Sequence, residues 1–196
     1  MIYHIIQPLY LSHEKKLPMI VKLYVLFAMT MLPITAYAGT HHHDKHTHSQ
    51  KAHVHGISQI KLAIGESSIE IQFVSPANNI VGFEHIAKTN EEKTQVQHAK
   101  AILLKSNSLF RFHGTYCQPE SSVVNVHALL ESQASHKEVS AQYRFSCDST
   151  ELLNNIEFKL FEHFPIISKI DVQWISETNQ GMSILSPSKN RHVVGD

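Results

Sequence analysis

Gln59–Phe73 reads QIKLAIGESSIEIQF. Ile60, Leu62 and Ile64 alternate with polar neighbours, Gly65-Glu66-Ser67 supplies turn formers, and Ile69, Ile71 and Phe73 alternate again. Successive side chains on a strand point to opposite faces, so this period of two describes a β-hairpin with one apolar face. The signature recurs downstream. Val124, Val126 and Ala128, then Val139, Ala141, Tyr143, Phe145 and Cys147, predict a second hairpin. Phe110 and Phe112 suggest a short strand before a turn at Gly114. Ile156, Phe158 and Leu160 read as strand, as do Ile170, Val172 and Trp174, and then Met182 and Ile184 across the turn ETNQG, Glu177–Gly181.

Helical signals are few. Thr89 followed by Glu92 is a capping box, and Val96, Ala99 and Leu103 give the buried stripe of a helix running to about Leu104. Asp148 and Thr150 are caps for a short helix, Glu151 to Asn155. The expected class is α+β: a mainly antiparallel sheet built from β-hairpins, with one clear helix and one short one. Its order is ββα, a short β, ββα, βββ, and the identity between the two halves is too weak to name a repeat.

Working outward from the hairpin, Ser75–His85, SPANNIVGFEH, is a loop of turn formers with a small apolar knot. On the other side the apolar pattern stops at Val54, and Thr40–Gly56, THHHDKHTHSQKAHVHG, takes over. Lys15, Lys16 and Lys22 flank the apolar run Leu23–Ile34, and Ala36-Tyr37-Ala38 is a small-x-small cleavage signal. These predict a secretory signal peptide over residues 1–38, with Met1 or Met19 as the start, rather than a retained anchor. The expected organisation is a disordered histidine-rich segment over 39–52, a folded domain over 53–190 and a tail over 191–196. No membrane span is expected after cleavage. Cys117 and Cys147 then lie in an oxidising compartment, where an even pair is most simply a disulfide. The alternative, a pair of thiolate metal ligands, lacks a C-x-x-C spacing.

The formal net charge is zero, so no basic field points to nucleic acid. Histidine is the outlier, 16 residues against 17 lysines and arginines together. Neutral imidazole suits Zn(II), and equally Cu(II) and Ni(II). His41, His42, His43, His46 and His48 with Asp44 offer more donors than one tetrahedral ion needs. A polar chain satisfies that geometry in many ways, each opposed by ordering entropy. Moderate affinity, fast exchange and several ions follow, which suits buffering and not catalysis. Binding should weaken as protons compete for imidazole. An interrupted tract starting at the cleavage point is not a purification tag.

His53 and His55 are two apart at the expected start of the first strand, so both imidazoles would share one face. Glu84 and His85 in the loop are further candidate ligands. His136 and Glu138, with His127 across the hairpin turn, form another group. Each has a plain alternative as a polar surface residue. His98, His113, His163 and His192 read as surface or packing residues. There is no H-E-x-x-H, no G-x-S-x-G and no phosphate-cradling glycine loop, so no enzyme is expected.

HVHG with its alternating hairpin, SPANNIVGFEH, Tyr143–Cys147 (YRFSC), Leu160–Pro165 (LFEHFP) and Val172–Trp174 (VQW) resemble the ZrgA-like zinc-regulated periplasmic proteins. The likeness runs from His53 to about Pro187, and SPANNIVGFEH is its most specific piece. It implies zinc binding in a Gram-negative periplasm and support of zinc acquisition beside a zinc ABC importer or its binding protein. Position by position it covers His53, His55, Glu84, His85, His136 and Glu138, and Cys117 and Cys147 match the family's cysteine pair. Many members carry a longer His- and Asp-rich insertion where Glu120–Glu138 keeps only His127 and His136, which shifts the load to the N-terminal tract. The function expected is periplasmic capture or buffering of Zn(II). The alternatives are a metal-dependent adaptor docking a transporter and a zinc hydrolase on His53, His55 and a carboxylate.

Overall fold

The computed structural model describes residues 54–131 and 137–194. The expected signal peptide, the histidine tract, His53 and His136 lie outside them. The expected hairpin forms as β1 (Ile57–Ile64) and β2 (Ser68–Pro76), with Ile60 opposite Phe73 and Leu62 opposite Ile71. A short helix α1 (Ala77–Val81) follows, then α2 (Asn90–Leu103) behind its capping box at Thr89, and a turn of helix α3 (Ser106–Leu109). Next come β3 (Phe110–His113), β4 (Cys117–Asn125), α4 (His127–Leu130) and β5 (Glu138–Cys147). The last elements are β6 (Asn155–Phe158), α5 (Leu160–His163), β7 (Lys169–Ile175), β8 (Gln180–Leu185) and β9 (Arg191–Val193).

Six strands pair in the order β4-β5-β2-β1-β7-β8, and three more as β3-β6-β9. Among the described strands every pairing is antiparallel except β1 with β7. The period of two holds: Gln59, Lys61, Gln72, Gln142, Arg144 and Gln173 face solvent, while Ile60, Leu62, Ile71, Phe73, Ala141, Phe145 and Val172 face inward and are buried. Val96, Ala99 and Leu103 of α2 join that core, as do Phe110, Ile156 and Phe158 of the smaller sheet. The two sheets touch through aromatic edges: Phe110 on Phe145, centroids 5.9 Å apart, and Phe112 on Phe145 at 4.7 Å.

Several boundaries differ from the sequence expectation. β4 begins at Cys117, well before Val124, and Ala128 sits in α4. As an edge strand β4 is exposed on both faces over Gln118–Ser121, so its first half carries no alternation and its course is set by pairing with β5, through an irregularity between Pro119 and Ser121. Cys117 lies opposite Cys147 in that register, and the two form the disulfide. The short helix expected over 151–155 is a single 3-10 turn, Thr150–Leu152, and Leu160 opens α5 instead of ending a strand. Arg191–Val193, read as tail, pairs with β6; three residues are too few to show a period.

Tyr143 is an exception on the inner face. Its ring packs edge-on against Phe110, centroids 5.0 Å apart, but its buried hydroxyl has no hydrogen-bond partner among the described residues. Burial pushes its pKa well above the usual tyrosine value. Tyr143→Phe keeps the ring and removes the orphaned hydroxyl, so it is expected to raise stability by about 1 kcal/mol. An upward shift of the urea midpoint checks this; a downward shift would show that the hydroxyl is bonded.

Candidate metal centre

The register brings four strand ends together. Ile57 at the start of β1 lies opposite Lys169 at the start of β7, and Pro76 at the end of β2 lies opposite Glu138 at the start of β5. HVHG enters β1 here, and SPANN leaves β2 here. A buried polar network joins them. Asn79 Oδ1 accepts from Gly56 N–H at 2.7 Å, and its Nδ2 donates to Ile57 O at 3.0 Å. The same Nδ2 lies 3.3 Å from Ser75 Oγ, and Ser75 Oγ and Ser58 Oγ are 2.8 Å apart. All three side chains are buried. In a low-dielectric interior such a network fixes geometry because every member needs the others.

Val54–Gly56 therefore form a turn and not the expected strand. Ile57 N–H closes on Val54 O at 3.1 Å, and Gly56 takes φ +82°. That angle at the third position is what a type II turn requires of glycine. A Cβ there would also meet Ser168 Oγ at 2.7 Å. Ser168 and Lys169 N–H both donate to Gly56 O, so the turn is held from two sides.

His55, the second turn residue, points its Nε2 at Glu84 Oε1, 3.2 Å away. Glu84 comes from the segment after α1, which stops at Gly82 in a left-handed cap with φ +82°. Gln95 of α2 holds Val81 O at 2.8 Å, and Ala87 N–H is held by Leu129 O at 2.8 Å, so the loop is tied at both ends. His85, next in sequence, turns elsewhere. Its ring stacks on Phe83 with centroids 4.7 Å apart, and its Nε2 lies 3.5 Å from Glu92 Oε1. Glu92 Oε2 accepts from Lys88 N–H at 2.6 Å and from Thr89 N–H at 3.1 Å. These two amides, Lys88 first, hold the Glu92 carboxyl below its usual range.

Both His–Glu separations exceed the roughly 2.7–2.9 Å of a tight charge-assisted hydrogen bond. Two donors bound about 2.0–2.1 Å from one tetrahedral zinc lie about 3.3 Å apart, so each pair matches one edge of such a site. Among the described residues no three His, Cys, Asp or Glu side chains converge as a metal cluster.

Of the expected ligands, then, His55 and Glu84 meet, while His85 pairs with Glu92 instead. His127 lies on α4, its Nδ1 3.9 Å from Glu131 Oε2, and Glu138 opens β5. His41, His42, His43, Asp44, His46, His48, His53 and His136 lie outside the described residues. His113 and His192 serve other ends. His113 bonds Glu157 at 3.3 Å; burial works to raise that carboxyl's pKa, but His113, Arg191 and Arg111 outweigh it and hold it below its usual range. Buried His192 meets Ser183 Oγ at 3.0 Å through Nδ1 and packs against Trp174. Sequence reasoning missed Asn79 and the second role of Glu92. Asn79 sat among turn formers, and Glu92 was fully accounted for by its cap.

A protein family described as ZrgA family zinc uptake protein matches residues 52–193. The chain belongs to this family. The match starts one residue before the HVHG turn and ends with β9, so it covers all the described strands of the ZrgA fold seen here. None of the curated proteins matches the chain. A zinc uptake family and a disulfide together fit a protein that works outside the cytoplasm. Among the described residues no helix is long and apolar enough to cross a membrane.

Proposed function

We propose that this ZrgA-family chain captures or buffers Zn(II) in the periplasm and feeds zinc acquisition through a zinc ABC importer or its binding protein, without catalysing a reaction. The observation that carries this is the His55–Glu84 pair, 3.2 Å apart and built from the turn before β1, which Asn79 anchors, and the FEH loop. The pair supplies two donors in fixed directions. The histidine tract upstream in sequence carries further imidazole donors of its own. Both side chains are open to solvent, at 62 % and 37 % exposure, which favours loading and release over the dry, closed site that hydrolysis needs. Cu(II) and Ni(II) suit the same donors, and the family description favours zinc.

Calorimetric titration of zinc into the mature chain tests the division of labour. Deleting residues 39–52 should lower the stoichiometry, and His55→Ala should weaken the tightest binding component at least ten-fold. Unchanged stoichiometry after the deletion would sink the tract as the main store; unchanged affinity in His55→Ala would sink the folded seat.

A further inference from the structure

We propose that the outer face of the larger sheet carries a binding trough for a small carboxylic acid, centred on Lys61. The trough uses none of the histidines and stands whether or not the chain carries zinc.

One register row crosses all six strands. Val123 lies opposite Gln142, Gln142 opposite Gln72, Gln72 opposite Lys61, Lys61 opposite Gln173, and Gln173 opposite Met182. All six of these residues are exposed. Neighbouring strands lie about 4.8 Å apart, so Gln72 and Gln173 flank Lys61 closely enough for all three to reach one bound group. Two hollows, of about 280 and 140 Å³, open on either side of the row, and Lys61, Gln72 and Gln173 wall both. Glu70, Ala63 and Ile175 extend the larger hollow, and Gln59, Asp171 and Met182 the smaller.

Charge selects the ligand. On this face Glu70 pairs with Arg144, and Asp171 pairs with Lys169 at 3.1 Å. Glu70 lies opposite Ala63 and Asp171 opposite Gln59, so both carboxylates diagonal to Lys61 are engaged elsewhere. Lys61 itself has no ion pair among the described residues, and neither Gln72 nor Gln173 spends its amide on another described residue. An ammonium offers three donors, and each amide offers two N–H groups and one carbonyl oxygen. A carboxylate only accepts, with two oxygens and about four lone-pair positions. It takes the Lys61 ammonium and an N–H from each flanking amide, in the stronger, charge-assisted kind of hydrogen bond. The amide oxygens then receive hydroxyl or N–H groups of the ligand body. Both hollows are smaller than the roughly 300–1,000 Å³ of drug-sized pockets, so a single sugar acid or acylated amino acid suits them.

The test is a titration of the mature chain, stripped of metal beforehand, followed by ¹H–¹⁵N spectra of backbone and glutamine side-chain amides. Galacturonate and N-acetylserine are the probes, and galactose is the uncharged control. Saturable shifts of the Gln72 and Gln173 side chains and of the Lys61 amide are expected with an acid and not with galactose. The acid that saturates at the lower concentration identifies the source, sugar or amino acid. Lys61→Gln, at an exposed strand position, should weaken binding at least ten-fold, as loss of a hydrogen bond to a charged group does. Added salt should weaken it as well, because the pair is open to water. The double variant Gln72→Ala with Gln173→Ala should weaken it several-fold, and it decides the matter if Lys61→Gln misfolds. Equal shifts with galactose, no saturable shift with either acid, or unchanged binding in a folded variant would overturn the trough.

Discussion

Asn79→Ala is expected to cost about 2–4 kcal/mol and to disable the His55–Glu84 seat. The substitution removes a side chain that satisfies Gly56 N–H and Ile57 O together and touches the Ser58–Ser75 pair. Each buried polar group left unpaired costs about 1–3 kcal/mol, and here a donor and an acceptor of the main chain are orphaned at once. Losses of this size come from such network failures rather than from lost surface contacts. Asn78→Ala is the control. That neighbouring side chain is only half-buried, so a change within about 0.5 kcal/mol is expected. Chemical denaturation of both variants, with zinc titration of whatever folds, checks the claim. Equal stabilities would remove Asn79 from its place as the anchor of the turn.

The second large effect is at the opposite end of β5. Replacing both Cys117 and Cys147 by alanine opens a cross-link between residues 30 apart in sequence. In the chain-entropy description this loses roughly 3–4 kcal/mol. β4 should feel it most. It is an edge strand held on one side by β5, and the bond pins its first residue. Its amides should become the fastest-exchanging of the larger sheet in the alanine variant, which native-state hydrogen exchange would read. Zinc affinity should be unchanged, because Cys147 ends β5 while the candidate metal centre lies where β5 begins. The two variants therefore separate stability from binding: Asn79→Ala lowers both, the cysteine pair only the first. A zinc affinity that falls with the disulfide would contradict that separation.

How much of this was legible follows from which residues announce themselves. Ile60 through Phe73 alternate because one face of the sheet is buried and the other wet, and that contrast is written in the residues themselves. The α2 cap is equally local, since Thr89 and Glu92 are three apart and satisfy each other. β4 was half hidden because an exposed edge has no contrast to encode. The parallel neighbour of β1 was invisible, since β7 joins it across more than a hundred residues. At the site the sequence marked His55, Glu84 and His85 but not which side chain each would face. Glu84 and His85 are adjacent in sequence, yet the turn of the backbone sends one to His55 and the other to Glu92. No spacing rule carries that information, because it is set by Gly82, Asn79 and the docking of Ala87 on Leu129, each a tertiary fact.

The parallel pairing of β1 with β7 also sets a clock. Synthesis delivers the Val54–Ile57 turn early among the described residues, but Gly56 O takes its donors from Ser168 and Lys169, and Ile57–Ala63 their parallel flank from Lys169–Ile175. Long-range pairings of this kind form late. A nascent chain can close the first hairpin early and still lack one wall of the turn that aims His55. The part of the fold made earliest is thus completed by one made nearly last, so an unfinished chain emerges from synthesis without the seat proposed for zinc.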